Sequence, residues 1–168
     1  VWVDGTHRVA HVIAEVTTNI HSHVITGEML INETQKTDFL ERYTKHLENA
    51  EWVIMAGSIP PCVNDNIYYE LIKIARGKNK PTLVDSQKSF ILNAIKAQPD
   101  IVKMNWEEFE WSFGLNAPDI ESLLDHAIGR KKSEKMKNLI LTLGKDGILA
   151  LTEEGNFLVK APEQIPVN

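Results

Sequence analysis

The chain has 168 residues, of which 43% are hydrophobic and 24% are charged, a composition typical of one folded globular domain. Its formal net charge is -5, and its longest basic run is the short stretch 130–132. A nucleic-acid surface or an anionic membrane surface requires clustered lysines and arginines, so the charge pattern argues against both as partners. We therefore expect small-molecule partners.

The single cysteine, Cys62, excludes an internal disulfide framework, and it fits either a protein from a reducing compartment or an unreactive structural thiol. No apolar run approaches the length of a membrane-spanning helix, and the first residues show no signal-peptide pattern. We expect a cytoplasmic protein. The chain does not begin with methionine and opens in the middle of a pattern, which indicates a piece of a longer protein.

The amino-terminal part has the pattern of a β-hairpin. Two β-rich runs, residues 7–15 and 20–28, flank a turn-like segment at 17–19. If the strands pair about that turn, the odd-numbered residues share one face. Four histidines would then lie together: His7, His11, His21 and His23. Four imidazoles could hold a transition metal. A mixed polar and apolar contact face explains the pattern without a metal, and we favour that interpretation.

Residues 33–49 have the pattern of an amphipathic helix, because apolar side chains recur at four-residue spacing and charged residues occupy other positions. The apolar positions are Phe39, Tyr43 and Leu47. Thr34 and Thr37 are the alternative candidates for the residue that caps the amino-terminal end of this helix.

After residue 50, predicted strands and helices alternate. We expect strands at 52–56, 82–84, 101–104 and 139–143, and helices at 65–76, 89–97, 106–113 and 120–134. Residues 147–152 and 157–160 are predicted to form an antiparallel pair that turns at 153–155. This alternation predicts an α/β fold with a mainly parallel sheet between layers of helices.

Polar and small residues follow four predicted strands where each apolar run ends. In a parallel α/β sheet these strand ends meet at one edge, where ligands bind. Each residue alone has a structural explanation, as a turn glycine, a helix cap or a solvated carboxylate. Their alignment at one edge favours a binding site. Its residues are Gly57, Ser58, Asp85, Ser86, Lys103, Asn105, Glu108, Thr142, Gly144 and Gly147.

The residue types at this edge suit a magnesium-bound polyphosphate. The loop 142–147 offers a hydroxyl group and flexible backbone amides to phosphate oxygens, and Lys103 adds a positive charge. Asn105 and Glu108, three positions apart at a helix start, could hold Mg2+ through its water ligands. The chain has neither a Walker A loop nor a Gly-x-Gly-x-x-Gly fingerprint, and Ser58 lacks the Gly-x-Ser-x-Gly context of a hydrolase.

Two tryptophans, Trp106 and Trp111, lie in the predicted helix 106–113 beside this edge. Aromatic side chains in a helix most often pack against the core. We therefore interpret both as core or helix-packing residues rather than as residues that stack on an adenine ring.

Four segments, in this order, resemble the motifs of a known family: GSIPP at 57–61, VDS at 84–86, VKMNWEE at 102–108 and LTLGKDG at 141–147. On these motifs the chain is identified as a member of the ribokinase-like, phosphofructokinase-B carbohydrate kinases. It is most similar to the branch that includes 1-phosphofructokinase and tagatose-6-phosphate kinase, and it resembles the central part of such an enzyme. The resemblance implies a three-layer α/β/α fold with a β-hairpin that belongs to a small lid.

The resemblance also implies a role for each matching residue. Arg8 corresponds to an arginine that grips the phosphate already on the sugar, a task that suits a bidentate guanidinium, and Ser58 would contact the substrate. ATP is the implied co-substrate. Lys103 and Asn105 would hold the phosphates of ATP. Thr142, Gly144 and Gly147 would shape the nucleotide pocket. Mg2+ would be bound, through water, by Asp85, Asn105 and Glu108.

In this family pattern, residues 1–30 would be a lid segment and residues 31–168 the central part of the kinase domain, truncated at both ends. Lid strands of the family often pair across a dimer, so a homodimer through the lid is an expectation for the full-length protein. The sequence departs from the pattern at three positions. His7 replaces a threonine, Cys62 a glycine and Met104 a proline. These departures bear on substrate choice more than on the fold.

The catalytic aspartate of the family lies in a Gly-Ala-Gly-Asp motif, which would follow Asn168 and is absent from this sequence. No other residue is a candidate for the base that deprotonates a sugar hydroxyl. We therefore expect the full-length protein to phosphorylate a sugar or sugar phosphate and this chain alone to be inactive. One alternative is a non-catalytic regulator that binds a nucleotide or sugar phosphate. A second is an α/β interaction domain without a ligand.

Overall fold

The computed structural model describes residues 1–15 and 20–162. The chain divides into two compact units. The first unit comprises residues 1–43 and 59–64 and is called the lid unit only because it contains the segment 1–30 that the resemblance predicts to be a lid. The second, called the sheet unit, comprises residues 44–58 and 65–168. The predicted turn at 17–19 lies outside the described residues.

The lid unit is built on two antiparallel strand pairs. Strands β2 (Val9–Glu15) and β3 (Ile20–Thr26) form the predicted hairpin. A second pair joins two short strands that the sequence did not indicate, β1 (Asp4–Gly5) and β4 (Met29–Leu30). Gly27 has a φ of 87°, and a Cβ atom there would lie 2.1 Å from the carbonyl oxygen of His7. Only glycine therefore fits this crossing of the chain.

The register of the hairpin corrects the predicted grouping of the histidines. His11 pairs with Val24, whereas His23 pairs with Val12 and His21 pairs with Ala14. Directly opposed residues share a face, so His11 lies on the face opposite to His21 and His23. The prediction that the odd-numbered residues share one face was wrong. The predicted turn, centred on residue 18, would pair odd-numbered with odd-numbered residues, whereas the observed register pairs odd with even. A shift of one residue in the pairing moves every side chain of one strand to the other face.

Helix α1 (Glu33–His46) begins before both of its predicted caps. The Asn32 side chain accepts a hydrogen bond from Gln35 N at 2.9 Å, and the Gln35 side chain accepts one from Asn32 N at 3.0 Å. This reciprocal pair satisfies amide groups that the first helical turn leaves without partners. The candidates Thr34 and Thr37 both lie inside the helix, so the N-cap prediction was wrong.

The sheet unit contains a six-stranded sheet with the order β10-β9-β8-β7-β6-β5. Strands β5 to β8 are parallel to one another, β9 is antiparallel to β8, and β10 is antiparallel to β9. The strands are β5 (Val53–Ala56), β6 (Thr82–Asp85), β7 (Ile101–Asn105), β8 (Asn138–Thr142), β9 (Ile148–Leu151) and β10 (Asn156–Val159). The predicted mainly parallel sheet is confirmed.

Four helices follow the parallel strands and flank the sheet. They are α2 (Ile67–Gly77), α3 (Lys88–Lys96), α4 (Trp106–Phe113) and α5 (Ile120–Ser133). Single-turn 3-10 helices occur at Leu47–Asn49 and Gly144–Asp146. The helices bury one apolar stripe each against the sheet, because apolar residues recur at helical spacing, as with Ile91 and Ile95 of α3. This packing leaves the strand ends as the place where polar side chains can collect.

The core of the sheet unit follows the alternation of the strands. Val102 and Met104 of β7 and Leu139 and Leu141 of β8 are fully buried, and the residues between the members of each pair are half-buried. Met104, one of the departures from the family pattern, is thus a core residue. Unlike proline, methionine keeps the backbone N–H that a sheet ladder uses. Within residues 1–15 and 20–162, no helix has the length and apolar character needed to cross a membrane.

Candidate functional site

The carboxyl ends of the parallel strands bring the predicted site residues of the sheet unit to one edge. The register aligns Ala56 with Asp85 and Asp85 with Lys103 on neighbouring strands. One strand further along the sheet, Asn105 is aligned with Thr142. The exposed Ser58 follows the last residue of β5 by two positions. The order of the strands, rather than proximity in sequence, assembles this edge.

Lys103 and Asp85 form an ion pair at the centre of the edge. The Lys103 Nζ donates a hydrogen bond to Asp85 Oδ2 at 2.7 Å. Their side chains are 33% and 30% exposed, so the pair is close to solvent and its attraction is partly screened. Such a pair is easily rearranged when a stronger anion approaches. Lys103 can therefore exchange its carboxylate partner for a phosphate at little cost.

Asn105 and Glu108 are joined to each other in a capping box at the start of α4. Asn105 Oδ1 accepts a hydrogen bond from Glu108 N at 2.7 Å, and Glu108 Oε2 accepts one from Asn105 N at 2.8 Å. Each bond satisfies an amide that the helix start leaves unpaired. The spacing that predicts a metal site is thus also a helix start signal. The two roles are compatible, because the cap uses one oxygen of the Glu108 carboxylate.

The donor set at the edge fits Mg2+ held through water rather than directly. Asp85 and Glu108 each use one carboxylate oxygen in the bonds described above, which leaves the second oxygen to accept from a water ligand. Among the described residues, no group of three or more histidine, cysteine, aspartate or glutamate side chains could form a metal cage. Mg2+ commonly retains several waters and shares phosphate oxygens, so a full protein cage is unnecessary.

Separate effects of charge and capping are expected at the Asn105–Glu108 pair. Glu108→Gln keeps an oxygen that can accept from Asn105 N, so the unfolding free energy should change by less than about 0.5 kcal/mol. Asn105→Ala removes the cap and should cost about 1 kcal/mol. In the full-length protein, Glu108→Gln should nevertheless raise the Mg2+ concentration needed for half-maximal activity.

Urea unfolding and Mg2+ titrations of activity provide both measurements. Glu121→Gln is the matched control, because Glu121 lies in the first turn of α5 and not at the candidate site. An unchanged Mg2+ requirement in Glu108→Gln would leave Glu108 with a capping role alone.

An open pocket of about 510 Å³ lies between the start of α4 and the loop after β8. It is lined by the predicted residues Asn105, Thr142 and Gly144, together with Trp106, Glu107, Glu110 and Leu143. Trp106 is half-buried and forms part of this wall, so its indole is available to a bound ligand. The pocket adjoins the loop 142–147, for which phosphate binding stays a prediction. Its acidic wall would favour a polyphosphate that arrives with a cation.

The loop after β8 is held by its own backbone. Leu143 N donates a hydrogen bond to the Gly147 carbonyl at 2.8 Å, and Gly147 N donates one to the Gly144 carbonyl at 3.2 Å. Gly144 has a φ of 60° and open space beside it, whereas a Cβ atom on Gly147 would lie 2.0 Å from the carbonyl oxygen of Val159. Gly144 can therefore face a ligand, but Gly147 is required by the approach of β10.

Tyr68 is a residue at this edge that the sequence did not indicate. Its buried side chain donates a hydrogen bond from the hydroxyl to the Gly57 carbonyl at 3.0 Å. Burial and, secondarily, the carboxylate of Asp85 raise the pKa of the hydroxyl above its usual value. The protonated hydroxyl thus anchors the chain just before Ser58. A tyrosine near a helix start carries no sequence signal for such a contact.

The two remaining sequence expectations concern residues of the lid unit. Arg8 lies there, in the residue before β2, and not in the sheet unit with the other predicted site residues. Cys62, which replaces a family glycine, has a local structural role. Its sulfur accepts a hydrogen bond from Ile31 N at 3.3 Å and donates one to the Met29 carbonyl at 3.5 Å. The thiol therefore ties residues 59–64 to β4 and to the residue that follows it.

Trp111 is not a core residue, since its side chain is 58% exposed, so of its two predicted packing roles only that of a helix-packing residue remains. The ammonium group of Lys88 lies 5.6 Å from the centre of its ring, within the range of a cation–π contact. The core position on α4 is occupied instead by Phe109, which is fully buried.

Known proteins resemble this chain over most of its length. A 1-phosphofructokinase from Bacillus subtilis (strain 168) is 26% identical over 131 residues, which are 77% of this chain and 42% of that protein. The phosphofructokinase-2 of Escherichia coli, in its tetrameric inhibited form, superposes with a TM-score of 0.76 at 22% identity, covering 95% of this chain and 51% of that one.

The same Escherichia coli protein in complex with fructose-6-phosphate superposes with a TM-score of 0.74 at 20% identity, covering 94% of this chain and 52% of that one. The chain thus spans about half the length of these relatives. These superpositions confirm the ribokinase-like α/β fold predicted from the motifs. The model of the family described as pfkB family carbohydrate kinase matches residues 1–168. The chain belongs to the pfkB family of carbohydrate kinases.

Proposed function

We propose that the full-length protein transfers the γ-phosphate of ATP to a hydroxyl group of a hexose or hexose phosphate. The observation that carries this proposal is the edge of the sheet unit, where Asn105 and Thr142 end adjacent parallel strands beside an open pocket, and Lys103 lies two residues before the end of β7. A cation, a capped helix start and a glycine loop at one edge suit the phosphates of a nucleotide. Membership of the family supports the same activity.

In the proposed mechanism, the sheet unit binds and orients the nucleotide. Lys103 leaves its pairing with Asp85 and neutralises charge on the transferred phosphoryl group. The backbone amides of Gly144 and Lys145, which the internal bonds of the loop after β8 do not use, orient the other phosphates. Bound Mg2+, held through water by Asp85, Asn105 and Glu108, would supply further positive charge to the phosphate oxygens. The Ser58 hydroxyl group, on the loop that Tyr68 anchors, would contact the sugar.

The proposed base is the aspartate of a Gly-Ala-Gly-Asp segment that this sequence does not contain. The base would take the proton from the sugar hydroxyl as the hydroxyl oxygen attacks the γ-phosphorus and ADP leaves. We therefore assign the activity to the full-length protein, and we expect the 168-residue chain alone to bind without turnover.

The lid unit is proposed to cover the sugar and to pair with a second copy. Its hairpin exposes apolar side chains on both faces, with Ile13 and Val24 on one face and Val12 and Ile25 on the other. A two-stranded hairpin with two apolar faces is not stable in water without cover. This supports a homodimer, which sedimentation of the full-length protein would refute if only monomer were present. The cytoplasm is the proposed location.

The decisive assay is Mg2+-dependent ADP release by the full-length protein against a panel of hexoses and hexose phosphates. We expect turnover with a ketohexose phosphate, and Arg8→Ala should raise its KM by about 10- to 100-fold, because a charge-assisted phosphate contact is worth about 1.5–3 kcal/mol. The KM for an unphosphorylated sugar should change little.

Arg42→Ala is the matched control, since Arg42 is an exposed arginine of the same unit that pairs with Asp38. Equal effects of the two variants would remove the assigned role of Arg8. Binding of ATP without turnover of any sugar would favour the non-catalytic regulator instead.

A further inference from the structure

A second pocket lies at the opposite edge of the sheet, away from the candidate nucleotide site. Lys137 directly precedes β8, and Gln98 and Pro99 precede β7, so these residues mark the amino-terminal ends of the parallel strands. The pocket has a volume of about 620 Å³. Strand β9 is antiparallel to β8, which brings Leu151 and the turn after it to the same edge. The pocket therefore shares no residue with the site described above.

The wall of this pocket is strongly basic although the chain as a whole carries a net charge of -5. One carboxylate, Glu153, lies among its lining residues. Five of the lining residues are cationic: Arg76, Lys131, Lys132, Lys135 and Lys137. Cations crowded in a concave surface repel one another, and the repulsion is relieved when an anion enters.

Two of the five cations already have partners within the protein. The guanidinium of Arg76 donates a hydrogen bond to the Gln98 carbonyl, and Lys137 lies 3.5 Å from Asp100 and 3.6 Å from Glu153. A guanidinium has five donors, so Arg76 retains others for a ligand. The other three cations, Lys131, Lys132 and Lys135, have no ion pair among the described residues.

The carboxyl end of α5 explains only part of this cluster. Lysines in the last turn of a helix are favoured by its dipole, and Lys131 and Lys132 lie there. Arg76 comes from a different helix, Lys135 follows α5 in a left-handed conformation with a φ of 55°, and Lys137 precedes a strand. Three separate elements thus direct cations into one concavity, which a helix dipole does not require.

We propose that this pocket binds a small anion with two or more phosphate groups. Lys131, Lys132 and Lys135 supply ammonium groups that no described carboxylate neutralises, and Arg76 supplies the donors that its bond to Gln98 leaves unused. The partly exposed Ile128 adds an apolar wall, so the rest of the ligand can be an organic group. The ligand is a polyphosphate in the chemical sense, whether its phosphates belong to a nucleotide or to a sugar. This inference does not depend on the proposed kinase activity.

The test uses inorganic tripolyphosphate as the probe and the full-length protein without Mg2+. The variant Lys103→Ala serves as the background, because it weakens anion binding at the candidate nucleotide site. In isothermal titration calorimetry, adding Lys131→Gln and Lys135→Gln should weaken binding about 100-fold, since two charge-assisted contacts are lost and each is worth about a factor of ten. The matched control adds Lys73→Gln and Lys96→Gln, two exposed lysines that do not line the pocket.

Lysine acetylation read by mass spectrometry locates the bound anion. Tripolyphosphate should protect Lys131 and Lys135 and leave Lys73 and Lys96 unprotected. Repeating the protection with ATP and with a hexose bisphosphate distinguishes the two sources of the phosphates. Equal affinities for the pocket and control variants, or protection of no pocket lysine by tripolyphosphate, would overturn the proposal.

Discussion

Replacing Lys103 with methionine in the full-length protein is expected to lower kcat/KM for ATP by about 100- to 1000-fold. Losses of this size follow the removal of one preorganised group that stabilises charge in a transition state. Methionine retains most of the apolar stem, so the fold should be unaffected. The measurement is Mg2+-dependent ADP release at saturating sugar phosphate. Lys96→Met, a change at an exposed lysine of α3, is the control for a general loss of charge.

The Asp85→Asn variant separates two roles for the carboxylate that pairs with Lys103. The test combines Asp85→Asn with Lys103→Met in a double variant. If Asp85 acts only by positioning Lys103, this double variant should have the same kcat/KM as Lys103→Met alone. If Asp85 also contributes to Mg2+ through water, the double variant should be slower and should require more Mg2+. A kcat/KM for Lys103→Met within about threefold of wild type, a difference below about 1 kcal/mol, would contradict the proposed mechanism.

Replacing Gly147 with alanine is expected to reduce the free energy of unfolding by about 3 kcal/mol or more, because the new side chain would clash with backbone that cannot easily move. The Cβ atom would lie 2.0 Å from the Val159 carbonyl oxygen and 2.9 Å from Ala161 N. This clash can be relieved only if β10 moves away from β9. The φ of 99° at this position is also strained for any residue with a side chain. Urea unfolding of the full-length protein, read as the midpoint and slope, measures the change.

Gly144→Ala is the matched control three positions earlier in the same loop. Gly144 has a φ of 60°, but a Cβ atom there would meet open space, with none of the described residues beyond its chain neighbours within 4 Å. The cost of this change should therefore stay near about 1 kcal/mol. Similar unfolding midpoints for the two variants would show that β10 moves freely. A low activity of Gly144→Ala with normal stability would instead support a role for this glycine beside the nucleotide.

The sequence predicted the sheet and most of its element positions because burial on both faces produces continuous apolar runs. Helix α4 (Trp106–Phe113) was predicted at the bounds that the structure shows. The start signal of α4 is local, since Asn105 and Glu108 bond to each other across one turn. The same locality also allowed the pair to be interpreted as a metal site, and the sequence pattern alone could not decide between the two roles.

Strand register and long-range side-chain contacts were beyond the reach of pattern reasoning. The histidine grouping was wrong because a shift of one residue in a hairpin reverses every face. Tyr68 carries no pattern that indicates a hydrogen bond to Gly57, which depends on how α2 packs beside β5. Cys62 appears in sequence only as a departure from a motif, whereas its contacts with Met29 and Ile31 require the fold.

The sequence by itself determined the α/β class, the family and which residues end the parallel strands, because apolar periodicity and motif order are properties of neighbouring positions. Only the tertiary structure decided which of those residues meet. Asp85 and Lys103 are 18 positions apart and pair because β6 and β7 are adjacent. Arg76 of α2 likewise meets the lysines near residue 135 only in the folded chain, where they line one pocket. Charges act through space, so their consequences appear only when distant segments are brought together.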